Sequence, residues 1–422
     1  MKYSIFNNRL ALTEKTDIIF NSLSEQTLIL HKNATIPLPP DTKEEAILNK
    51  LKADGFICED QEDELQNAIN IFRHAIEETS YFRLTINPTL QCNFRCWYCY
   101  EQHNSTAVMD SKTTDSLKLL IDDILKKYPS IELAFFGGEP MLEFDSIVLP
   151  ILQHTKDICQ EREKSYVATF TTNGFLINPE IVSKLSSYNI GASQITLDGG
   201  PVYHNRTRMA NGVDSFDRIV ENIKLLAKSG FEVLLRINVT KENVKSALEL
   251  PLYFKDLSQE SKDKVKVVVQ QVWQDVKNDI FEEKWDIYEA FLNIGIKPWS
   301  IFFSALKGIC YADRRHSAVV NYDGRIFKCT AIDFNSKKED ATLSQDIFES
   351  LDKAFEKRLA KRLANTPCKE CRILPLCAGG CSKNVDQALN EEYCLHPSDE
   401  DKDKVVRRVI SEQLIIKNLG LS

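Results

Sequence analysis

Three cysteines stand close together in Leu90-Gln-Cys-Asn-Phe-Arg-Cys-Trp-Tyr-Cys-Tyr100, separated by three and then two residues. Thiolates suit iron–sulfur clusters, and a loop this short presents Cys92, Cys96 and Cys99 to three irons of one cube. The fourth iron then has no protein ligand and is free to chelate the amino and carboxylate groups of a small amino acid. The competing chemistry is structural zinc, which wants a fourth ligand at matching spacing; His103 is the only nearby candidate. Seven further cysteines, Cys310, Cys329, Cys368, Cys371, Cys377, Cys381 and Cys394, lie toward the C-terminus. Seven suit two cubes better than a whole number of four-ligand zinc sites. Cys58 and Cys159 stand alone and read as small buried hydrophobes.

Other motifs follow the first cysteine group in order. In Phe136-Gly-Gly-Glu-Pro140, Gly137 and Gly138 let backbone carbonyls approach a ligand, and Glu139 offers a carboxylate to an ammonium group. Thr172-Asn-Gly174 and Gln194-Ile-Thr-Leu-Asp-Gly199 end the next two β-like runs, with His204-Asn-Arg-Thr-Arg208 just beyond. Together with Tyr98, the aromatic residue before the last cysteine, these motifs resemble the radical S-adenosylmethionine (SAM) superfamily. The resemblance implies that the open iron holds SAM and that electron transfer into its sulfonium releases a carbon radical. It also implies that Gly137, Gly138 and Glu139 hold the amino group of SAM. Thr196 and Arg208 would serve its ribose and carboxylate, although both also admit a structural role. Arg236 and Asn238 alternate onto one face of the fifth run, toward the interior of a barrel.

The later cysteines, with Gly324 between the first two, resemble the SPASM domain, a C-terminal extension of radical SAM enzymes that binds two auxiliary [4Fe–4S] clusters. Carried over, the family arrangement assigns Cys368, Cys371, Cys377 and Cys394 to a distal cluster and Cys310, Cys329 and Cys381 to a proximal one. The proximal cluster is one ligand short. His316 lies in that neighbourhood, either as a ligand or as a packing histidine beside an open iron.

Positioning these groups requires a scaffold. From Phe82 to about Trp299, β-rich runs at Phe82–Ile86, Ile131–Phe136, Val167–Thr171, Gln194–Leu197, Glu232–Val239 and Val265–Val272 alternate with helical segments, the pattern of a helix-covered parallel sheet. Ligand chemistry in such sheets gathers at the C-terminal strand ends. Before it, short β-like runs at Arg9–Thr13, Asp17–Phe20 and Thr27–Leu30 precede helical stripes near Lys43–Gly55 and Glu62–Ile76. After about Ala305 the chain reads as loop-rich, with one clear helix near Phe355–Ala364 and metal in place of a large apolar core. The expected fold is therefore α/β: a partial (β/α)6 radical SAM barrel over 81–304, a winged-helix-like domain over 1–80, and a SPASM domain with a C-terminal helix over 305–422.

The 422 residues are 43% hydrophobic and 27% charged, with a net charge of −8. An acidic balance disfavours a nucleic-acid partner. No apolar run approaches the roughly 18 residues of a membrane span, and the N-terminal residues lack a signal-like stretch, so a cytoplasmic setting is expected. There thiols stay reduced, and cysteines in this number read as metal ligands. The resemblance implies three [4Fe–4S] clusters, SAM, an external flavodoxin- or ferredoxin-like electron donor, and a peptide substrate modified by hydrogen abstraction. The N-terminal segment looks like the small domain with which maturases of ribosomally made peptides grip a leader as an added strand. This favours formation of a thioether or another side-chain crosslink in a precursor peptide. The alternative is anaerobic sulfatase maturation, whose enzymes begin their cysteine loop close to the N-terminus.

Overall fold

The structure, a computed structural model, describes residues 1–36, 45–77, 80–299, 309–343, 346–387 and 393–420. The expected boundary at 304/305 and the start of the helix expected from Lys43 lie outside these residues. By internal packing the chain forms two units: Met1–Glu78 with Phe302–Arg315 and Asp352–Ser422, and Thr79–Ile301 with His316–Leu351.

The first unit opens with an antiparallel sheet of β1 (Asn7–Ala11), β2 (Thr16–Asn21) and β3 (Thr27–His31), in that order. Helices Glu45–Ala53 and Glu64–Ile76 follow, the second capped by Asp63, whose carboxylate accepts from the Gln66 N–H. Asn8 and Leu10, at alternate positions of β1, are buried, and Leu10 with Ile18 and Phe20 of β2 packs on Ile373, Leu376, Val406 and Val409. Val406 and Val409 belong to the helix Asp399–Asn418, which a Ser398–Asp401 capping box starts. Residues of this sheet and residues between Cys371 and Val409 thus share one apolar core. Each fully buried aliphatic side chain in it contributes about 1.5–3 kcal/mol.

The second unit is built on parallel strands β4 (Phe82–Ile86), β5 (Ser130–Phe135), β6 (Ser165–Thr172), β7 (Ile190–Leu197), β8 (Val233–Val239) and β9 (Val265–Gln271). They neighbour one another in sequence order and pair in parallel, with registers such as Leu84↔Leu133 and Ile237↔Val269. Leu84, Leu133, Ala168, Ile195, Leu235 and Val267 are fully buried, because helices cover the sheet; Phe216–Lys228, for example, turns Ile219, Val220, Ile223 and Leu226 inward. This is the expected α/β barrel architecture, and its six strands fall where the sequence places them.

The sheet continues past the barrel, however. β10 (Ser317–Val320) pairs in parallel with β4, and β11 (Arg325–Phe327) turns back along it. That part of the chain had read as loop, because a fully buried run of four residues carries no periodicity. The helix read as starting near Phe355 begins at Ile347, whose side chain and that of Leu351 pack into the barrel core. Among the described residues no helix is long and apolar enough to cross a membrane.

Candidate active site

The barrel carries a cavity of about 200 Å³ at the C-terminal ends of its strands, lined by Cys92, Cys96 and Cys99 from the loop after β4. Each following strand contributes: Phe136 and Gly138 after β5, Thr172 and Asn173 at β6, Thr196 on β7, Arg236 and Asn238 on β8, and Val272 and Trp273 after β9. Strand alternation puts Arg236 and Asn238 on the cavity side together, as expected.

The start of the cysteine loop is held by two backbone bonds. Leu90 N–H donates to the Ala107 carbonyl at 2.9 Å, and Asn211 N–H to the Asn93 carbonyl at 3.0 Å. The Gly-Gly-Glu loop nests directly against it. Gly138 has φ +38°, and a Cβ there would sit 2.0 Å from the Gln91 carbonyl oxygen; at Gly137, φ is +79° and a Cβ would meet the Asn87 side chain at 2.7 Å. Only glycine permits this approach. Glu139 N–H then donates to the Gln91 carbonyl at 2.7 Å.

Glu139 itself is fully buried, and its carboxylate is committed within the protein. It accepts from Thr172 Oγ1 at 2.7 Å, Asn173 N–H at 2.7 Å and Met141 N–H at 3.0 Å. Burial pushes its pKa up, and the bonds from Asn173, Thr172 and Met141 pull the other way. The side chain therefore ties the loops after β5 and β6 together. It is Gly138 that lines the cavity.

Tyr98 is the hub. Its hydroxyl donates to Asp198 Oδ2 at 2.6 Å and accepts from Arg208 Nη1 at 2.7 Å and Asn238 Nδ2 at 3.2 Å. Asn238 Oδ1 in turn accepts from Arg236 Nε at 2.8 Å. One phenol thus bridges a buried carboxylate and a buried guanidinium that form no direct ion pair. Among the described residues Asp198 Oδ1 and Arg208 Nε have no protein partner, nor do Glu101 Oε1 and His103 Nδ1, and Arg208, Glu101 and His103 line the cavity. Buried polar atoms in native proteins are normally satisfied, so this set calls for a polar ligand. His204 is fully enclosed behind the site, with Nδ1 accepting from Asp198 N–H at 3.3 Å and Nε2 bonded to Ser215 Oγ at 3.0 Å. Tyr100 and Trp273 stack with centroids 5.4 Å apart.

Burial raises the Cys92 thiol to about 12 and the Cys99 thiol to about 11, and raises Cys96 as well. Thiolates here need compensating positive charge, which a metal core supplies. Three thiols on one cavity together with unpartnered polar atoms fit a [4Fe–4S] cluster and an amino-acid-like ligand. Among the described residues no three Cys, His, Asp or Glu side chains converge on a point that a single ion would occupy.

The later cysteines separate. Cys368, Cys371, Cys377 and Cys394 line one small cavity of the first unit, with Leu374, Tyr393 and His396. Cys310 and Cys381 are exposed residues of that unit, whereas Cys329 is buried in the second, just after β11. His316 Nδ1 is bonded to Tyr128 Oη at 2.8 Å. Cys58 and Cys159 are buried, as expected. Sequence reasoning missed the hydroxyl of Tyr98 as a hub, passed over Glu101 and Trp273, and weighed His103 only as a zinc ligand. Trp273 alone had a signal, its place just beyond a barrel strand.

Residues 86–250 match the radical SAM superfamily. The Fe-coproporphyrin III synthase of Methanosarcina barkeri is 32% identical over 176 residues, covering 42% of this chain and 40% of that protein, less than half its length. The serine-type anaerobic sulfatase-maturating enzyme of Bacteroides thetaiotaomicron is 23% identical over 343 residues, covering 69% of this chain and 80% of that protein. Among solved structures, anSMEcpe with bound AdoMet and the Cp18Cys peptide has a TM-score of 0.61 at 20% identity, covering 81% of this chain and 99% of that one. SuiB of Streptococcus suis bound to precursor peptide SuiA has a TM-score of 0.56 at 17% identity, covering 93% and 98%. At these identities the structural likeness is one of fold. The cysteine loop, the nested glycines and the cavity-lining residues from Cys92 to Asn238 all fall inside the stretch that matches the radical SAM superfamily.

Proposed function

We propose that the protein is a radical SAM maturase that modifies a ribosomally made precursor peptide, forming a thioether or another side-chain crosslink. When bound, the cluster and SAM would supply a 5′-deoxyadenosyl radical able to take a hydrogen atom from the peptide. The residues around them have separable tasks. Cys92, Cys96 and Cys99 would hold the cluster, and Gly137 and Gly138 keep side chains out of the space beside it. Thr196 and Arg208 offer a hydroxyl and a guanidinium to the ribose and carboxylate of SAM, and the Tyr98 bridge fixes where that guanidinium stands. Cys368, Cys371, Cys377 and Cys394 would hold an auxiliary [4Fe–4S] cluster, and Cys310, Cys329 and Cys381 would serve a third. An external flavodoxin- or ferredoxin-like protein would supply electrons in the cytoplasm.

The observation that carries the peptide reading is the edge of the N-terminal sheet. β3 ends the strand order, and Thr27, Ile29 and His31 alternate outward along it. Such an edge accepts an extended leader as an added strand. SuiB, solved with its precursor peptide, aligns over 93% of this chain. Sulfatase maturation is the second reading, supported by the relative from Bacteroides thetaiotaomicron aligned over 80% of its length.

Co-expression with short open reading frames beside the gene tests the proposal by mass spectrometry. A peptide that loses two hydrogens only when Cys92, Cys96 and Cys99 are intact supports it. A neighbouring sulfatase converted to its formylglycine form, with no peptide changed, replaces it by the second reading.

A further inference from the structure

One buried amide near the four-cysteine cavity has no part in the reading above. Asn365 stands three residues before Cys368 and is 3% exposed. Its side chain is fully used. Oδ1 accepts from Tyr393 N–H at 3.1 Å, while Nδ2 donates to the Tyr393 carbonyl and, at 3.5 Å, to Cys368 Sγ. An asparagine amide has two N–H donors, so both bonds from Nδ2 can form at once. Asn365 thus grips the backbone of Tyr393 on both its polar groups, as a neighbouring strand would, and Tyr393 precedes Cys394. At its own end, the Asn365 carbonyl accepts from Cys368 N–H at 3.0 Å, closing a tight turn. Gly380 makes room for the returning segment, since a Cβ there would lie 2.8 Å from Leu395 Cδ1. Two cysteines far apart in sequence are therefore brought to one cavity by a single side chain.

We propose that Asn365 is the positioning residue of the auxiliary cluster held by Cys368, Cys371, Cys377 and Cys394, closing Cys394 onto Cys368 and making that cluster easier to reduce through its N–H···S bond. The proposal rests on the reading that these four cysteines bind a cluster. The sign follows from charge: reduction adds an electron to an already anionic group, and a donor aimed at a ligand sulfur favours the more negative state.

The test uses full-length, anaerobically reconstituted protein as wild type, Asn365→Asp and Asn365→Ala, with iron and sulfide content, redox titration followed by EPR, and resistance to a chelator. Asn365→Asp keeps an acceptor for Tyr393 N–H but removes both donors. It should lower the midpoint potential of one cluster and leave the others unmoved. Asn365→Ala should lose iron from that same cluster faster than wild type. A wild-type protein whose iron content is unchanged by Cys368→Ala/Cys371→Ala would remove the cluster reading itself. If the cluster is present but both variants keep its potential and chelator resistance, the proposal is overturned. Loss of all clusters and helical circular dichroism together in both variants would equally overturn it, because Asn365 would then be a general folding residue.

Discussion

The Tyr98 hydroxyl separates an acidic from a basic buried side chain while bonding to both, and Asn238 completes its set. Tyr98→Phe keeps the ring and removes the bridge, leaving polar groups unpaired at a cost of about 1–3 kcal/mol. Urea unfolding should show that loss, and equilibrium dialysis should show weaker SAM binding. Gly138 is as constrained sterically as Tyr98 is electrostatically. Gly138→Ala forces a left-handed conformation costing about 1–2 kcal/mol before the contact with the Gln91 carbonyl is counted. It should abolish cluster retention even where soluble protein is recovered, as iron analysis would reveal. His204 sets a pH dependence. Burial holds its pKa well below 6.5, so in acid the unfolded chain takes up a proton that the folded chain refuses. Stability should fall as pH drops below about 6.5, by at most about 1.4 kcal/mol per pH unit, and His204→Gln should flatten that slope in urea titrations. The thiols and glycines of the site were legible because their chemistry and spacing are written locally. The Tyr98 bridge was not, since its partners come from β8 and from the residues following β7.

Among the elements, the barrel strands were legible because strands buried on both faces are continuous apolar runs, as in Val265–Gln271. β10 escaped notice because Ser317–Val320 is too short to show a period, and its pairing with β4 is set by tertiary contact alone. Helix Ile347–Ala364 was read short because its first turns bury Ile347 and Leu351, a pair that reveals its face only once the sheet is in place. The edge strand β3 carries a prediction at this scale. Ile29 is 59% exposed, so Ile29→Asp should leave the thermal midpoint nearly unchanged. It should weaken binding of a cognate precursor about tenfold, equivalent to about 1.4 kcal/mol, by fluorescence anisotropy. Cleavage of SAM without peptide should continue at the wild-type rate.

For the whole molecule, the ligand set predicts close to three cubes, about twelve irons per chain, after anaerobic reconstitution. Replacing Cys92, Cys96 and Cys99 together with alanine should remove about one third of that iron and all formation of 5′-deoxyadenosine. Retained iron with lost turnover would place the metal elsewhere. Domain organisation was the least legible feature. Sequence shows where patterns change, and it changes near residues 80 and 305, but a core assembled from both ends leaves no mark in either. Leu10, Ile18 and Phe20 are apolar residues in short strands, and nothing local names Val406 and Val409 as their partners.

That shared core constrains the order of events at the ribosome. The N-terminal sheet is translated before the barrel, and the helix that covers its inner face only after it. Until that helix emerges, Leu10, Ile18 and Phe20 lack Val406 and Val409 to pack against, while the barrel strands can already pair in sequence order. Truncation of that helix ahead of Val406 would be felt in the sheet formed by Asn7–His31.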